Sequence, residues 1–190
     1  MTPDALIDEE DFACDERLPY WAELWPSAVA LAHHISKEGL LTDRRVVELG
    51  CGVGLPSVIT LDLGARVTAT DHYAAALDFV RYNARSNLGF EPETRVLDWH
   101  TPRTDGLKDP FELVLAADVL YERRNVSALT DLIPTLLAPG GEVLLADPHR
   151  KDTPAFLEKM REKGFRSLAE EHVVPSNGRT VMVFVHRLRR

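Results

Sequence analysis

Cysteine is nearly absent: Cys14 and Cys51 are the only two in 190 residues. That excludes a disulfide framework and fits a reducing compartment, so a cytoplasmic protein is expected. No CxxC, HExxH or paired Cys/His spacing occurs, and no metal is expected on that ground. No apolar run approaches the roughly 18 to 20 residues that span a bilayer, so no membrane association is expected. The opening MTPDALIDEEDF carries neither the basic nor the apolar region of a secretory signal.

Basic residues are also in the minority, with 22 Lys and Arg against 30 Asp and Glu and a net charge of -8. A surface of that sign repels a phosphate backbone, which argues against nucleic acid as a partner. Residues 1 to 16 alone hold seven acids and no base, leaving the remainder nearly neutral. This stretch reads either as a solvated tail or as a surface for a basic partner. Repeats and low-complexity tracts are absent as well, which excludes solenoids and linkers.

What is present is alternation. Apolar, β-rich runs at 45–49, 66–70, 94–97, 113–117 and 142–146 predict buried strands. Between and after them, residues 27–38, 55–63, 73–87, 123–137 and 153–163 carry apolar side chains at helical spacing, and Pro139-Gly140-Gly141 and Gly164 are expected to stop the last two helices. Strands alternating with helices predict a parallel sheet covered on both faces. Residues 170–174 and 180–186 read as a final hairpin turning at Pro175-Ser176-Asn177-Gly178. The expected architecture is therefore α/β: a doubly wound, seven-stranded sheet, mostly parallel with a C-terminal antiparallel hairpin. Residues 25–190 are expected to form one domain, with 1–24 as an acidic segment that serves as a lid.

In such a sheet a ligand binds beyond the carboxyl ends of the strands. The first strand there runs into VVELGCGVGLPSV, residues 46–58, with Gly50, Gly52 and Gly54 at every second position. A dinucleotide fingerprint would need glycine at position 55, which is leucine. Glu48 also argues against pyrophosphate, since like charges about 5 Å apart at an effective dielectric near 20 repel by a gross ~3 kcal/mol. A cationic ligand is attracted instead, and S-adenosylmethionine, with its ammonium and sulfonium and no phosphate, suits both features. Asp71, about twenty residues beyond the loop, reads as a ribose ligand or as the N-cap of the following helix. Asp98-Trp99 offers an acceptor and an aromatic face for adenine; alternatively it is a loop acid beside a core tryptophan.

ELGCGVG, TATD, LDW and AADVLY occur in the order used by seven-β-strand class I methyltransferases, and the chain resembles that Rossmann-like family over nearly its whole length. It is similar in particular to the protein-lysine, or nicotinamide-N-methyltransferase-like, branch, through Trp25 in PYWAELWPSAVAL and the motif from Asp118 to Tyr121. PYWAELWP, DVLYE, ADPHR and NGRTVMVF are also similar to stretches of the lysine methyltransferase acting on the β-subunit of electron transfer flavoprotein, whose glycine loop is patterned differently. The resemblance implies S-adenosyl-L-methionine as cofactor and S-adenosyl-L-homocysteine as product. It implies cofactor contacts at Trp25, Gly50, Cys51, Gly52, Asp71, Trp99 and Ala117; chemistry adds Glu48 and Asp98, while Gly54 is left to helix packing.

Methyl transfer from a sulfonium to an amine is a one-step displacement, so the protein's task is alignment. The resemblance implies that Asp118 and Tyr121 face the substrate lysine. Asp118 is expected to orient the amine by hydrogen bonding and Tyr121 to shape the channel; an N-cap role for Asp118 is the alternative. Trp25 is expected as a lid, Trp21 in the core, and His149 and Arg150 either at the substrate entrance or in solvent. His33 and His34 are expected on the first helix, one of them outward.

The expected substrate is a protein presenting a lysine, handled by a monomer. A small-molecule amine N-methyltransferase and a noncatalytic S-adenosylmethionine-binding module are the alternatives. A base-modifying enzyme would usually carry Asn-Pro-Pro-Tyr or Asp-Pro-Pro-Tyr after strand four, where this chain reads Ala-Asp-Val-Leu-Tyr.

Overall fold

The computed structural model describes residues 20–104, 107 and 109–190. The acidic run at 1–16 and Cys14 lie outside the described residues, as does most of the segment read as a lid.

A short 3-10 turn, Tyr20–Ala22, leads into α1 (Pro26–Ser36), β1 (Arg45–Leu49), α2 (Leu55–Asp62), β2 (Arg66–Asp71), α3 (Ala74–Leu88), β3 (Glu93–Val96), β4 (Phe111–Ala117), α4 (Arg123–Leu136), β5 (Leu137–Asp147), α5 (Thr153–Glu162), β6 (Arg166–Ser176) and β7 (Arg179–Arg189). The seven strands lie in the order β3-β2-β1-β4-β5-β7-β6. The first five are parallel, and β7 pairs antiparallel with both β5 and β6. The expected doubly wound sheet with a C-terminal hairpin is what the chain forms.

Residue alternation along the strands builds two cores. Val46, Leu113, Leu115, Leu144 and Ala146 pack with α1 and α2 residues such as Leu31, Ile35 and Leu61. Their neighbours Val47, Val114, Ala116, Val143 and Leu145 point the other way, onto Leu129 and Ile133 of α4 and Phe156 and Met160 of α5. Strands covered on both faces explain why their sequences read as continuous apolar runs.

Local chemistry sets most boundaries. Proline stands in the first turn of α1, α2 and α5, where its missing N–H has no helical partner to lose. Gly89 ends α3 in the left-handed conformation, φ 83, its N–H donating to the Arg85 carbonyl over 3.0 Å. The final hairpin turns on Asn177 and Gly178 at φ 47 and 72, the two left-handed positions of a type I′ turn.

Several strands run longer than expected, and the start of β5 departs furthest. β5 begins at Leu137 instead of Glu142, because Leu137 pairs with Phe111 before Gly140 and Gly141. The glycine pair is absorbed as a register shift between Phe111 and Leu113. A Cβ on Gly141 would stand 3.0 Å from the Phe111 carbonyl oxygen, so the bulge needs glycine there.

The open edge of this core is closed by charge. Glu142, 4% exposed, accepts hydrogen bonds from Arg44 at 2.9 Å, Arg187 at 2.7 Å and Arg189 at 2.8 Å. Burial alone would raise its pKa; the three guanidiniums outweigh burial and hold it at about 2. Since the folded value lies below the usual 4.5, the stabilisation is present above pH 4.5 and lost as pH falls toward 2. Two of the arginines are partly solvated, which reduces the effect. Glu142→Gln should therefore lower unfolding stability by about 2 kcal/mol at pH 7, with the gap to the unmodified chain closing in denaturant titrations below pH 4.

Candidate active site

Strand order reverses between β1 and β4, the two inner strands whose outgoing connections run to opposite sides of the sheet. Beyond their carboxyl ends lies a cleft of about 770 Å³. Trp25, Glu48, Gly50, Cys51, Gly52, Asp71, Asp98, Trp99, Ala117, Asp118 and Tyr121, all singled out in the sequence, line it together.

The floor is the glycine loop. Gly50 and Gly52 have φ of 69 and 50, a region that side chains enter at a cost. A Cβ on Gly50 would meet Trp99 Cζ2 at 2.9 Å, and one on Gly52 would meet the Trp21 carbonyl oxygen at 3.0 Å. Gly54 has a different job: its Cβ would fall 2.5 Å from Val80 Cγ2 on α3, so its absence lets α3 close on the loop.

Beneath the loop sits Glu48, 1% exposed. The Ser57 hydroxyl donates to its carboxylate. Burial, opposed by the Ser57 hydrogen bonds and reinforced by the charge of Asp71, raises its pKa to about 8. The folded value lies above the ordinary 4.5, so the folded chain holds a proton that the unfolded chain releases. Stability is then full below pH 4.5 and declines as pH rises toward 8. Glu48→Gln keeps an acceptor for Ser57 and removes the titration, and we expect it to be more stable by about 2 to 4 kcal/mol at pH 8 and nearly equal at pH 4.5. Thermal unfolding across that range checks it.

At the end of β2, Asp71 accepts the Gly52 N–H on Oδ2 and the Tyr73 N–H on Oδ1, each at 3.0 Å. Burial raises its pKa against those hydrogen bonds. Asp71 is not the cap of α3; Tyr73 holds that position, with no side-chain cap. Each Asp71 oxygen retains a lone pair for a further donor.

Asp98 is more committed than expected. The His100 N–H donates to its Oδ1 at 2.8 Å and the Thr101 hydroxyl to Oδ2 at 2.9 Å, which lowers its pKa. Beside it, the buried Trp99 indole N–H has no hydrogen-bond partner. A buried donor without an acceptor costs about 1 to 3 kcal/mol.

Opposite, Asp118 is 8% exposed at φ 60, an unusual backbone conformation for a non-glycine residue. It does not cap α4, whose N-cap is Glu122. Its Oδ1 accepts Arg150 Nε at 2.5 Å and its Oδ2 the Ser27 hydroxyl at 3.4 Å. Arg150 is itself aimed by Asp147, which accepts the Arg150 N–H at 2.7 Å and the Thr153 hydroxyl at 2.5 Å. Arg150 therefore lines the cleft, while His149 packs against Phe184 at 5.4 Å between ring centroids.

Trp25 lies over the cleft, its indole N–H donating to the Tyr20 carbonyl at 2.9 Å. Trp21 also lines the cleft and packs its edge on Phe79 at 5.4 Å. Tyr121 is 55% exposed at the rim. Sequence reasoning missed Ser27, Tyr73 and Asn125, of which the last two line the cleft. Their only signal is position, one short step past a strand end or at the start of a helix.

A family profile described as lysine methyltransferase matches residues 16–163. The chain belongs to the lysine methyltransferase family. Among its relatives, the mouse protein N-lysine methyltransferase METTL21A is 30% identical over 159 residues, which cover 81% of this chain and 72% of that protein. The mouse protein-lysine methyltransferase METTL21E is 35% identical over 115 residues, or 54% of this chain and 46% of the relative. The chain thus spans less than half the length of some curated relatives it matches.

Solved structures share the fold. Magnesium protoporphyrin IX methyltransferase from Synechocystis PCC 6803, with bound SAM, superposes with a TM-score of 0.67 at 15% identity over 97% of this chain and 86% of its own. N-methyltransferase NodS from Bradyrhizobium japonicum WM9, in complex with S-adenosyl-L-homocysteine, gives 0.66 at 16% identity over 97% and 94%. Among the described residues, no helix is long and apolar enough to cross a membrane.

Proposed function

We propose that this chain transfers a methyl group from S-adenosyl-L-methionine to a lysine side chain of a protein, releasing S-adenosyl-L-homocysteine. The observation that carries the reading is the pairing of a bare glycine floor with the buried Glu48 carboxyl beneath it. A nucleotide phosphate would press the carboxyl further toward its neutral form and gain no attraction there, whereas a cation draws it back to its charged form. The space that any Cβ at Gly50 or Gly52 would fill also suits a ligand at this place.

Glu48, Gly50, Cys51 and Gly52 would hold the amino-acid part, Asp71 the ribose hydroxyls, Asp98 and Trp99 the base, and Ala117 and Trp25 the walls. Bound there, the cofactor supplies an electrophilic methyl on a sulfonium. The remaining work, done by this chain's side chains, is to admit an amine, turn its lone pair inward and keep water out.

Asp118 alone would hold a lysine as ammonium and blunt it as a nucleophile. The Arg150 ion pair resolves that conflict. With a guanidinium on one oxygen, the carboxylate remains a hydrogen-bond acceptor while its net charge is offset, and the cation favours neutral amine over ammonium. Asp118 and Arg150 thus orient the amine, with Tyr121 shaping its path at the rim. An open, half-exposed mouth suits a lysine projecting from a protein, and the relative named protein N-lysine methyltransferase supports the same substrate class.

The reading includes a cytoplasmic monomer, with residues 25–190 as a single catalytic domain, acting on protein and not on nucleic acid. The net charge of -8 and the completion of the cleft by one chain support it. Incubation with methyl-labelled cofactor and fractionated lysate tests the substrate class. Label should enter a discrete trypsin-sensitive band; label confined to small molecules would replace this reading with amine metabolism, and none in either fraction would leave only a binding module.

A further inference from the structure

On the far side of α1 from the cleft, three side chains meet that no methyl-transfer role uses. β6 presents Glu170 and His172 on one face, because they stand two apart on a strand, and α1 brings His34 onto that face. His34 Nδ1 lies 3.3 Å from His172 Nε2. Glu170 places Oε1 3.3 Å from His172 Nε2 and Oε2 3.6 Å from His34 Nδ1.

These separations have a specific meaning. Four ligands at 2.0 to 2.1 Å around a tetrahedral zinc ion stand about 3.3 to 3.4 Å from one another. The two histidine nitrogens stand at such a separation, each has a different Glu170 oxygen 3.3 or 3.6 Å away, and one ligating atom from each of the three residues lies within 4.8 Å of the others. We propose that His34, Glu170 and His172 bind one divalent cation of the zinc class.

The surroundings fit. His34 and His172 are 8% and 6% exposed, so the rings are held in place, while Glu170 is open to solvent and leaves an entry path and a fourth position for water. Burial lowers the pKa of both histidines against the raising charge of Glu170, which favours the neutral rings a metal requires. The outer nitrogen of His34 lies 3.7 Å from Glu38 Oε1, the carboxylate placed to accept a hydrogen bond from its N–H when Nδ1 is ligated. Arg187 donates to the same nitrogen at 3.1 Å, so ligation at Nδ1 moves the ring proton to Nε2 and turns the guanidinium onto its other acceptors, Glu142 at 2.7 Å and Glu38. Nitrogen ligands of this kind select zinc, cobalt, nickel or copper over magnesium.

The site would act as a clamp. It ties the C-terminal half of α1 to the edge strand β6, and the first turn of the same helix supplies Ser27 to Asp118.

The test titrates zinc chloride into the purified full chain against a chromophoric chelator, with X-ray absorption at the zinc edge. One ion per chain with imidazole nitrogens near 2.0 to 2.1 Å is expected, and the melting temperature should rise with zinc and not with magnesium chloride. His172→Gln and Glu170→Gln should each weaken binding by at least about tenfold. Glu170 is exposed, so its variant remains informative if His172→Gln does not fold. No zinc uptake, uptake unchanged by Glu170→Gln, or an equal response to magnesium overturns the proposal.

Discussion

Replacing Asp118 by alanine is expected to lower methyl transfer by about 100-fold or more, a loss of ~3 kcal/mol of transition-state stabilisation, while affinity for S-adenosyl-L-homocysteine stays within about threefold. The substitution does more than delete an acceptor. Arg150, whose ion pair among the described residues is with Asp118, would lose that compensation beside the incoming amine. On the proposed reading the product is held by the glycine loop and Asp71, which do not touch Asp118, and its affinity should be nearly unchanged. Single-turnover rates and product-binding calorimetry separate the two effects. A parallel loss of both would place Asp118 in the framework of the cofactor cleft and not opposite the substrate.

Gly50→Ala is expected to act in the reverse sense, weakening S-adenosyl-L-homocysteine about 10- to 100-fold, with a stability loss of about 2 kcal/mol. Two costs combine: a left-handed backbone at φ 69, and a Cβ 2.9 Å from the Trp99 ring. Trp99 lines the cleft, so a shift that relieves the contact would disturb the wall proposed to receive the base. Calorimetry with Gly50→Ala beside Gly54→Ala distinguishes the sites, because the latter presses on Val80 and should chiefly cost stability. Equal product affinity in Gly50→Ala and the unmodified chain would remove the glycine loop from cofactor binding.

The legibility of this chain follows from its topology. In a parallel sheet, ligand-facing residues cluster at strand carboxyl ends, so Glu48, Asp71, Trp99 and Asp118 could be placed in one cleft once their strands were recognised. Side-chain partnerships across the chain were not legible. Asp118 and Arg150 are separated by 32 residues and meet only because β4 and β5 are neighbours. His34 and His172 are 138 apart, so a search for local ligand spacing does not bring them together. At Asp98 the partnership is local: its two oxygens are engaged by its own turn through His100 and Thr101, which the residue pair does not announce. At Leu137 the helical pattern and the sheet edge overlap, and pairing with Phe111 decides for strand.

The most direct measurement of the central claim is the chemical form of the transferred methyl group. The protein that takes up label from methyl-labelled S-adenosyl-L-methionine would be hydrolysed and its amino acids separated, with the Asp118→Ala enzyme run in parallel. Label recovered as Nε-methylated lysine, and nearly absent in the parallel run, is the predicted result. Label in methylated arginine or histidine, in a base-labile carboxyl ester, or at equal levels with the Asp118→Ala enzyme would contradict it.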